Sequence, residues 1–167
     1  MASIKIAGTV NDSIVDGEGW RFTIFTQGCP HHCAGCQNPQ THDFQAGREA
    51  DTDDLLQEIL ENPLLAGVTF SGGEPFCQPE PLAQLAAQLH EHGLDVWSYS
   101  GYTLQELQDM HRPEIDALLN GIDVLVDGRF ELSERDLTLS FRGSRNQRVI
   151  DMKKTRETGT IVLKSLD

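Results

Sequence analysis

The fold is decided by residues 21–36, which read RFTIFTQGCPHHCAGC. The first six residues alternate polar and apolar side chains, which predicts a β-strand over Arg21–Thr26. Three cysteines and two glycines follow it directly. We therefore expect the strand to deliver a cysteine-rich loop at its C-terminal end.

The three cysteines follow the spacing C-x3-C-x2-C, at Cys29, Cys33 and Cys36. Gly35 tolerates backbone angles that a side chain would forbid, so the loop can curl its thiolates towards one centre. A cubane iron–sulfur cluster normally takes four thiolates, and no fourth cysteine lies close enough in the sequence to complete the set. The spacing therefore predicts a [4Fe-4S] cluster held by these three residues, with one iron free to bind something other than protein.

Other uses of these residues stay open at this point. Tetrahedral zinc held by three cysteines and a histidine is the simplest alternative, with His31, His32 or His42 as fourth ligand. We otherwise expect His31 and His32 to be exposed loop residues. Cys77 can be a redox partner or a fourth cluster ligand, but a partly buried, inert thiol is the commoner fate of a lone cysteine. A disulfide framework is disfavoured because the thiols are few and clustered.

Beyond the cysteine loop, predicted helices and strands alternate. Helices are expected at 52–61, at 79–92 and from 103 onward, and strands at 67–70, 94–99 and 124–126. Thr52 is the expected cap of the first helix. Thr103 and Glu106 form a capping box, and Pro113 interrupts the helical stretch that follows it.

This alternation predicts βαβ units and a parallel sheet, since parallel strands need crossover connections. A closed eight-stranded barrel typically takes about 250 residues. The 167 residues of this chain suit one domain, 1–167, whose fold class is α/β with a partial, open parallel β/α barrel. The tail at 157–167 carries one more apolar run, Ile161-Val162-Leu163, which is expected to be an edge strand or a partner-binding segment.

Four distinctive loops follow predicted strands, at 28–38, 71–75, 100–102 and 127–130. Ligands in open α/β sheets bind beyond the C-terminal ends of the strands, so these loops are expected to meet at one rim. The second loop reads Ser71-Gly72-Gly73-Glu74-Pro75 and on its own can be an ordinary turn. Beside a cysteine loop, its glycines would instead let backbone groups approach a ligand closely. The sequence therefore predicts one site.

The charge of the chain is strongly negative, with a formal net charge of −13. This argues against a nucleic-acid partner, because such binding depends on neutralising phosphates with Lys and Arg. The cations concentrate in a basic segment, 129–156, which is either a solvated surface or a face towards a partner or an anionic ligand. The N-terminus lacks the apolar region of a signal peptide, and no apolar run reaches the roughly 20 residues that cross a membrane. A cytoplasmic protein is therefore expected, where thiols stay reduced.

The cysteine spacing, followed by the glycine-rich loop at 71–75, resembles the radical S-adenosylmethionine superfamily. Within it, the chain is most similar to the activating proteins of anaerobic ribonucleoside-triphosphate reductases. That similarity covers nearly the whole chain and rests on three further segments, VWSYSGYT at 96–103, VLVDGRF at 124–130 and FRGSRNQR at 141–148. One position departs from the superfamily pattern. The residue after the last cysteine is commonly aromatic and helps to hold adenine, whereas this chain has Gln37.

The resemblance implies two cofactors, a [4Fe-4S] cluster and S-adenosylmethionine. The expected cofactor-binding residues are Gly35, Cys36, Gln37, Gly72, Gly73, Glu74 and Ser100. Arg142 and Arg145 can pair with the carboxylate of S-adenosylmethionine or with the partner. The residues alone do not choose between these two uses.

The implied activity is reductive cleavage of S-adenosylmethionine, which generates a glycyl radical on the large subunit of anaerobic ribonucleoside-triphosphate reductase. A reduced flavodoxin-like protein or a similar donor would supply the electron. Two alternatives are an activator of another glycyl-radical enzyme, such as pyruvate formate-lyase, or a small radical enzyme acting on a metabolite. A further one is a non-enzymatic zinc or iron–sulfur binding module.

Overall fold

The computed structural model describes residues 2–36 and 38–165, and its centre is a mixed β-sheet. Seven strands form this sheet within the described residues, in the order β3-β1-β2-β4-β5-β6-β7. Their bounds are β1 Ser3–Ser13, β2 Arg21–Thr26, β3 Arg48–Asp51, β4 Gly67–Gly72, β5 Asp95–Tyr99, β6 Val124–Asp127 and β7 Arg148–Asp151.

The four central strands, β2, β4, β5 and β6, are parallel to one another. The strands β1, β3 and β7 extend the sheet at its two edges with antiparallel pairing. The predicted α/β class with an open parallel sheet is therefore confirmed, and the antiparallel edges are an addition to it. Parallel pairing places the C-terminal ends of the four central strands on one side of the sheet, with Thr26 of β2 opposite Gly72 of β4.

Five α-helices accompany the sheet in the described residues. They are α1 Thr52–Leu60, α2 Pro79–Glu91, α3 Leu104–Asp109, α4 Pro113–Gly121 and α5 Met152–Thr158, and short 3-10 turns cover Pro39–Thr41, Pro75–Cys77 and Leu132–Glu134. None of the described helices combines the length and the apolar character needed to cross a bilayer.

Local capping chemistry explains where the helices begin. The predicted box is present at α3, where Thr103 Oγ1 accepts from the Glu106 amide at 3.1 Å and Glu106 Oε1 accepts from the Thr103 amide at 2.9 Å. The predicted cap of α1 was wrong by one residue. Asp51 caps that helix, because its carboxylate accepts from the Asp53 amide at 2.8 Å, while Thr52 Oγ1 accepts from the Ala2 amide.

The main core lies between the helices and the sheet. The predicted inner face of α2 is fully buried, at Leu82, Leu85, Ala86 and Leu89. It contacts α4, which buries Ile115, Leu118 and Leu119 in the same cluster. Burial of this apolar surface is the main favourable term that holds the helices against the strands.

The last apolar run lies along the edge strand β7. The Asp151 amide donates to Val162 O at 2.8 Å, and the Lys164 amide donates to Val149 O at the same distance. Leu163 thereby forms an antiparallel bridge with Ile150. The run therefore pairs with the edge of the sheet, and its use as a partner-binding segment stays a prediction.

Arg21 is fully buried and ties the first central strand to its neighbours. Its guanidinium donates to Thr69 Oγ1 at 2.7 Å, to Val68 O at 2.9 Å and to Asp95 Oδ1 at 2.6 Å. It also lies over the ring of Trp97, 5.3 Å from the centroid. One side chain thus links β2, β4 and β5 near their N-terminal ends, opposite the ends that carry the loops.

We expect Arg21→Met to lower the free energy of unfolding by at least about 2 kcal/mol, because buried acceptors lose a charged donor. Urea denaturation of the variant and the parent in the same cluster state measures this. The matched control is Arg112→Met, whose ion pair with Glu114 lies at the surface, where such pairs contribute little. Equal losses in the two variants would contradict the assignment.

Candidate functional site

The loops that follow the four central strands meet around one cavity of about 520 Å³. The loop after β2 contributes the cysteines, and the end of β4 contributes Ser71, Gly72 and Gly73. Ser100 and Gly101 follow β5, and a long segment from Gly128 to Gln147 follows β6. The prediction that these loops share a rim is therefore confirmed.

All three cysteines of the loop line this cavity. Cys29 is buried, and Cys33 and Cys36 are half-buried. The loop is held at its start, where the Gly28 amide donates to Thr41 O at 2.7 Å and the Cys29 amide to His42 O at 3.2 Å. Burial raises the pKa of the Cys29 and Cys33 thiols. A metal bound by these sulfurs would therefore have to displace protons from them.

The three cysteines share one cavity. Across residues 2–36 and 38–165, no three Cys, His, Asp or Glu side chains gather closely enough to hold a single metal ion. Three thiolates at one cavity suit a cubane cluster, in which each of three irons takes one thiolate. Of the three histidines considered for a zinc site, His31 Nε2 is engaged by Glu74 and His32 is exposed. His42 lines the cavity, and its buried Nε2 has no hydrogen-bond partner among the described residues, so it is the histidine that best fits this alternative.

The two glycines of the motif let two strand ends approach each other. A Cβ at Gly73 would lie 2.4 Å from Gly28 O, and one at Gly72, where φ is +98°, would lie 2.4 Å from the Thr26 nitrogen. Two hydrogen bonds hold the backbones together at this point. The Gly73 amide donates to Thr26 O and the Glu74 amide donates to Gly28 O, both at 2.8 Å. Any side chain here would push the glycine turn away from the cysteine loop.

Glu74 is fully buried, and its carboxylate contacts groups from three loops. Oε1 accepts from the Gly101 amide at 2.8 Å and lies 2.7 Å from His31 Nε2, while Oε2 accepts from the Phe76 amide at 2.9 Å. The Ser100 hydroxyl lies 3.0 Å from both oxygens. Both carboxylate oxygens are therefore engaged by protein groups, which favours a positioning role over direct contact with a ligand.

The expectation that His31 is an exposed loop residue was wrong, whereas that for His32 is confirmed. The His31 side chain is only 4% exposed, because it packs between Glu74 and the ring of Tyr102, with ring centroids 4.6 Å apart. A Cβ at Gly101 would lie 2.3 Å from His31 Cδ2. His31 thus fills the space between the cysteine loop and the loop after β5.

The remaining predicted site residues differ in their placement. Ser100 lines the cavity, but its hydroxyl accepts from the Tyr102 amide and contacts Glu74. Gly35, at a φ of +73°, lies beside Phe130 and Leu132 and is not among the lining residues. Gln37 lies outside the described residues.

Cys77 is exposed, which contradicts the predicted partial burial, and it is not among the residues that line the cavity. Desolvation of the thiol, assisted by the negative charges of Glu74 and Cys29, raises the pKa of Cys77 to about 11. The raised pKa disfavours the thiolate form that a nucleophilic cysteine needs. Desolvation and the nearby Glu74 and Cys29 thus give a physical reason for the low reactivity that was predicted for Cys77.

The basic segment is not a uniform surface. Arg148 pairs with the buried carboxylate of Asp127, and Arg156 donates to the carbonyls of Leu119 and Ile122. Arg129 pairs with Glu106 at 3.3 Å. Several of its cations therefore stabilise the fold, and the segment also supplies one wall of the cavity.

Two parts of that cavity had little signal in the sequence. Ile14, Val15 and Asp16 line it from the connection between β1 and β2, a region without a predicted element. The wall at 136–147 includes the segment FRGSRNQR, whose first residues at 141–143 line the cavity. The segment supported the family resemblance, but its position could not be inferred from its composition.

A family model described as a 4Fe-4S single cluster domain matches residues 15–150. Three relatives bear the name anaerobic ribonucleoside-triphosphate reductase-activating protein. The relative from Pasteurella multocida is 40% identical over 144 residues, and that from Haemophilus influenzae is 36% identical over 144 residues; each alignment spans 80% of this chain and 89% of the relative. The relative from Escherichia coli is 34% identical over 143 residues, which are 80% of this chain and 90% of its own.

The fold is also similar to the crystal structure of QueE from Escherichia coli, with a TM-score of 0.52 at 21% identity. That similarity covers 60% of this chain and 53% of QueE, and at this identity it concerns the fold alone. The matches in sequence extend over the cysteine loop, the glycine turn and the cavity wall after β6. The chain therefore belongs to the family of anaerobic ribonucleoside-triphosphate reductase-activating proteins and carries a 4Fe-4S single cluster domain.

Proposed function

We propose that this protein is an activating enzyme that reductively cleaves S-adenosylmethionine and generates a glycyl radical on an anaerobic ribonucleoside-triphosphate reductase. The observation that carries the proposal is the meeting of the three cysteines and the glycine turn at a single cavity. The family membership and the names of the relatives support the reductase as the protein substrate.

The cluster would be held by Cys29, Cys33 and Cys36, and when bound it supplies the electron that breaks a sulfur–carbon bond of S-adenosylmethionine. The chain itself binds and orients the reactants. Gly72 and Gly73 present backbone groups to the cavity, where they would meet the amino group of S-adenosylmethionine. Cys36 and Ser100, which line the cavity, would contribute to the same binding site together with Gln37. Gly35, which does not line the cavity, would contribute by letting the cysteine loop turn, and Glu74 would position the loops.

The target glycine would enter from the open side of the cavity. Three of the lining residues there are strongly exposed apolar side chains, with Ile14 65%, Val15 70% and Leu137 76% exposed. Exposed apolar groups at the mouth of a site suit contact with another protein. A reduced flavodoxin-like protein would supply the electron, and a cytoplasmic location would keep the thiols reduced.

The decisive experiment combines the protein, its reconstituted cluster, a reductant and S-adenosylmethionine with the reductase under anaerobic conditions. Electron paramagnetic resonance of the reductase should show a glycyl radical, and omission of S-adenosylmethionine should abolish the signal. Absence of the radical in the complete mixture would overturn the proposal. Zinc without iron or sulfide in anaerobically purified protein would support a binding module instead.

Each of Cys29→Ser, Cys33→Ser and Cys36→Ser should lose most of the bound iron and sulfide, because a hydroxyl is a poor substitute for a thiolate ligand. Iron and sulfide analysis and the resonance spectrum of the reduced protein measure this. Cys77→Ser is the matched control and should retain the full cluster. Loss of the cluster from the control would show that Cys77 is a fourth ligand.

Glu74→Gln should lower the free energy of unfolding by about 2 kcal/mol, since its amide group must face donors that now bind a carboxylate oxygen. Urea denaturation measures the loss, and the rate of iron release to a chelator should rise as the cysteine loop loosens. Glu80→Gln, an exposed residue in the first turn of α2, should leave both quantities nearly unchanged. An unchanged rate of iron release in Glu74→Gln would contradict the positioning role.

A further inference from the structure

Arg142 carries an unsatisfied donor at the cavity wall. Its side chain lines the cavity, and one terminal nitrogen donates to Gln147 O at 3.0 Å. Its Nε is buried and has no hydrogen-bond partner in the protein. A buried guanidinium nitrogen without an acceptor is uncommon, because such donors are normally paired. No described group of the protein supplies the acceptor that this nitrogen lacks.

The backbone next to Arg142 is held in a strained conformation. Phe141 has a φ of +64°, which is rare for a bulky residue. The Tyr99 hydroxyl donates to Phe141 O at 2.5 Å, and the Phe141 ring packs edge-on against Trp97 with centroids 5.2 Å apart. Backbone strain of this kind persists only where surrounding contacts enforce it, and it concentrates at functional sites. These contacts set the position from which the Arg142 side chain enters the wall.

The charges around Arg142 also favour an anionic ligand. It is the one Lys or Arg among the described residues that line the cavity, in a chain whose net charge is −13. Two carboxylates share the lining, but Asp16 accepts from Ser13 and Thr23, and Asp136 accepts from Thr138. Arg142 forms no ion pair with any described residue within 4.0 Å.

We propose that Arg142 binds the carboxylate of S-adenosylmethionine, an inference that rests on the proposed function. S-Adenosylmethionine carries two cationic groups and one anionic group, so a guanidinium can attract only its carboxylate. A planar guanidinium matches a carboxylate in shape and forms charge-assisted hydrogen bonds with it. Arg145 lies three residues further along the same segment but does not line the cavity. The structure therefore favours Arg142 over Arg145, a choice that the sequence alone did not allow.

The test removes either the positive charge of Arg142 or the carboxylate of S-adenosylmethionine. Equilibrium dialysis of the cluster-loaded protein measures the affinity for S-adenosylmethionine and for decarboxylated S-adenosylmethionine. Arg142→Gln should weaken the binding of S-adenosylmethionine by about tenfold or more and leave the binding of the decarboxylated compound nearly unchanged. Arg142→Lys should give an intermediate loss, and the control Arg145→Gln should behave like the parent.

Several outcomes would overturn the inference. Equal weakening for both compounds would show that Arg142 only supports the fold, and iron content together with circular dichroism would reveal such damage directly. Unchanged binding of S-adenosylmethionine in Arg142→Gln, with a raised KM for the reductase, would assign the residue to the protein partner. Failure of the parent protein to bind S-adenosylmethionine at all would instead overturn the proposed function.

Discussion

The buried carboxylate of Glu74 accepts hydrogen bonds from groups on loops that follow three different strands of the sheet. A buried carboxylate is costly unless its oxygens are satisfied, so none of these loops can move away without leaving it underpaired. The cysteine loop is part of this arrangement through His31. The position of the cysteine loop is therefore coupled to the turn after β4 and to the loop after β5.

The contacts of Glu74 are possible because the backbones beneath it are unusually close. Gly72 and Gly73 let the end of β4 lie against the end of β2, and both amides at this crossing find carbonyl partners. Parallel pairing supplies the wider frame, since it brings the C-terminal ends of the central strands to the same side. The site thus combines a general property of the sheet with a local steric requirement for glycine.

Sequence patterns predicted the central strands and the helices α1 to α4 well because these elements are periodic and buried, whereas the short helix α5 was missed. The strand β2 was predicted with its observed bounds, and the capping box at Thr103 was recognised from two residues. The edge strands were missed for physical reasons. β3 reads Arg48-Glu49-Ala50-Asp51 and has no apolar face, so only pairing with β1 makes it a strand.

The candidate site was predictable where its residues are adjacent in sequence. The spacing of the cysteines and the glycine turn identified the cavity before its geometry was known. The burial of His31 was not predictable, because its partner Glu74 is 43 residues away and local composition suggested only a polar loop. The position of Arg142 likewise depends on contacts of its neighbour Phe141 with Tyr99 and Trp97, which belong to the strand β5.

The pairing of the chain's last apolar run with β7 has a consequence for association. An uncovered edge strand offers free amides and carbonyls to any other extended chain, and native proteins block such edges. Here the segment around Leu163 already occupies backbone groups of β7 on its outer side. Another molecule therefore cannot easily add a strand along this edge. This protects the protein from edge-to-edge aggregation, although it exposes apolar side chains elsewhere.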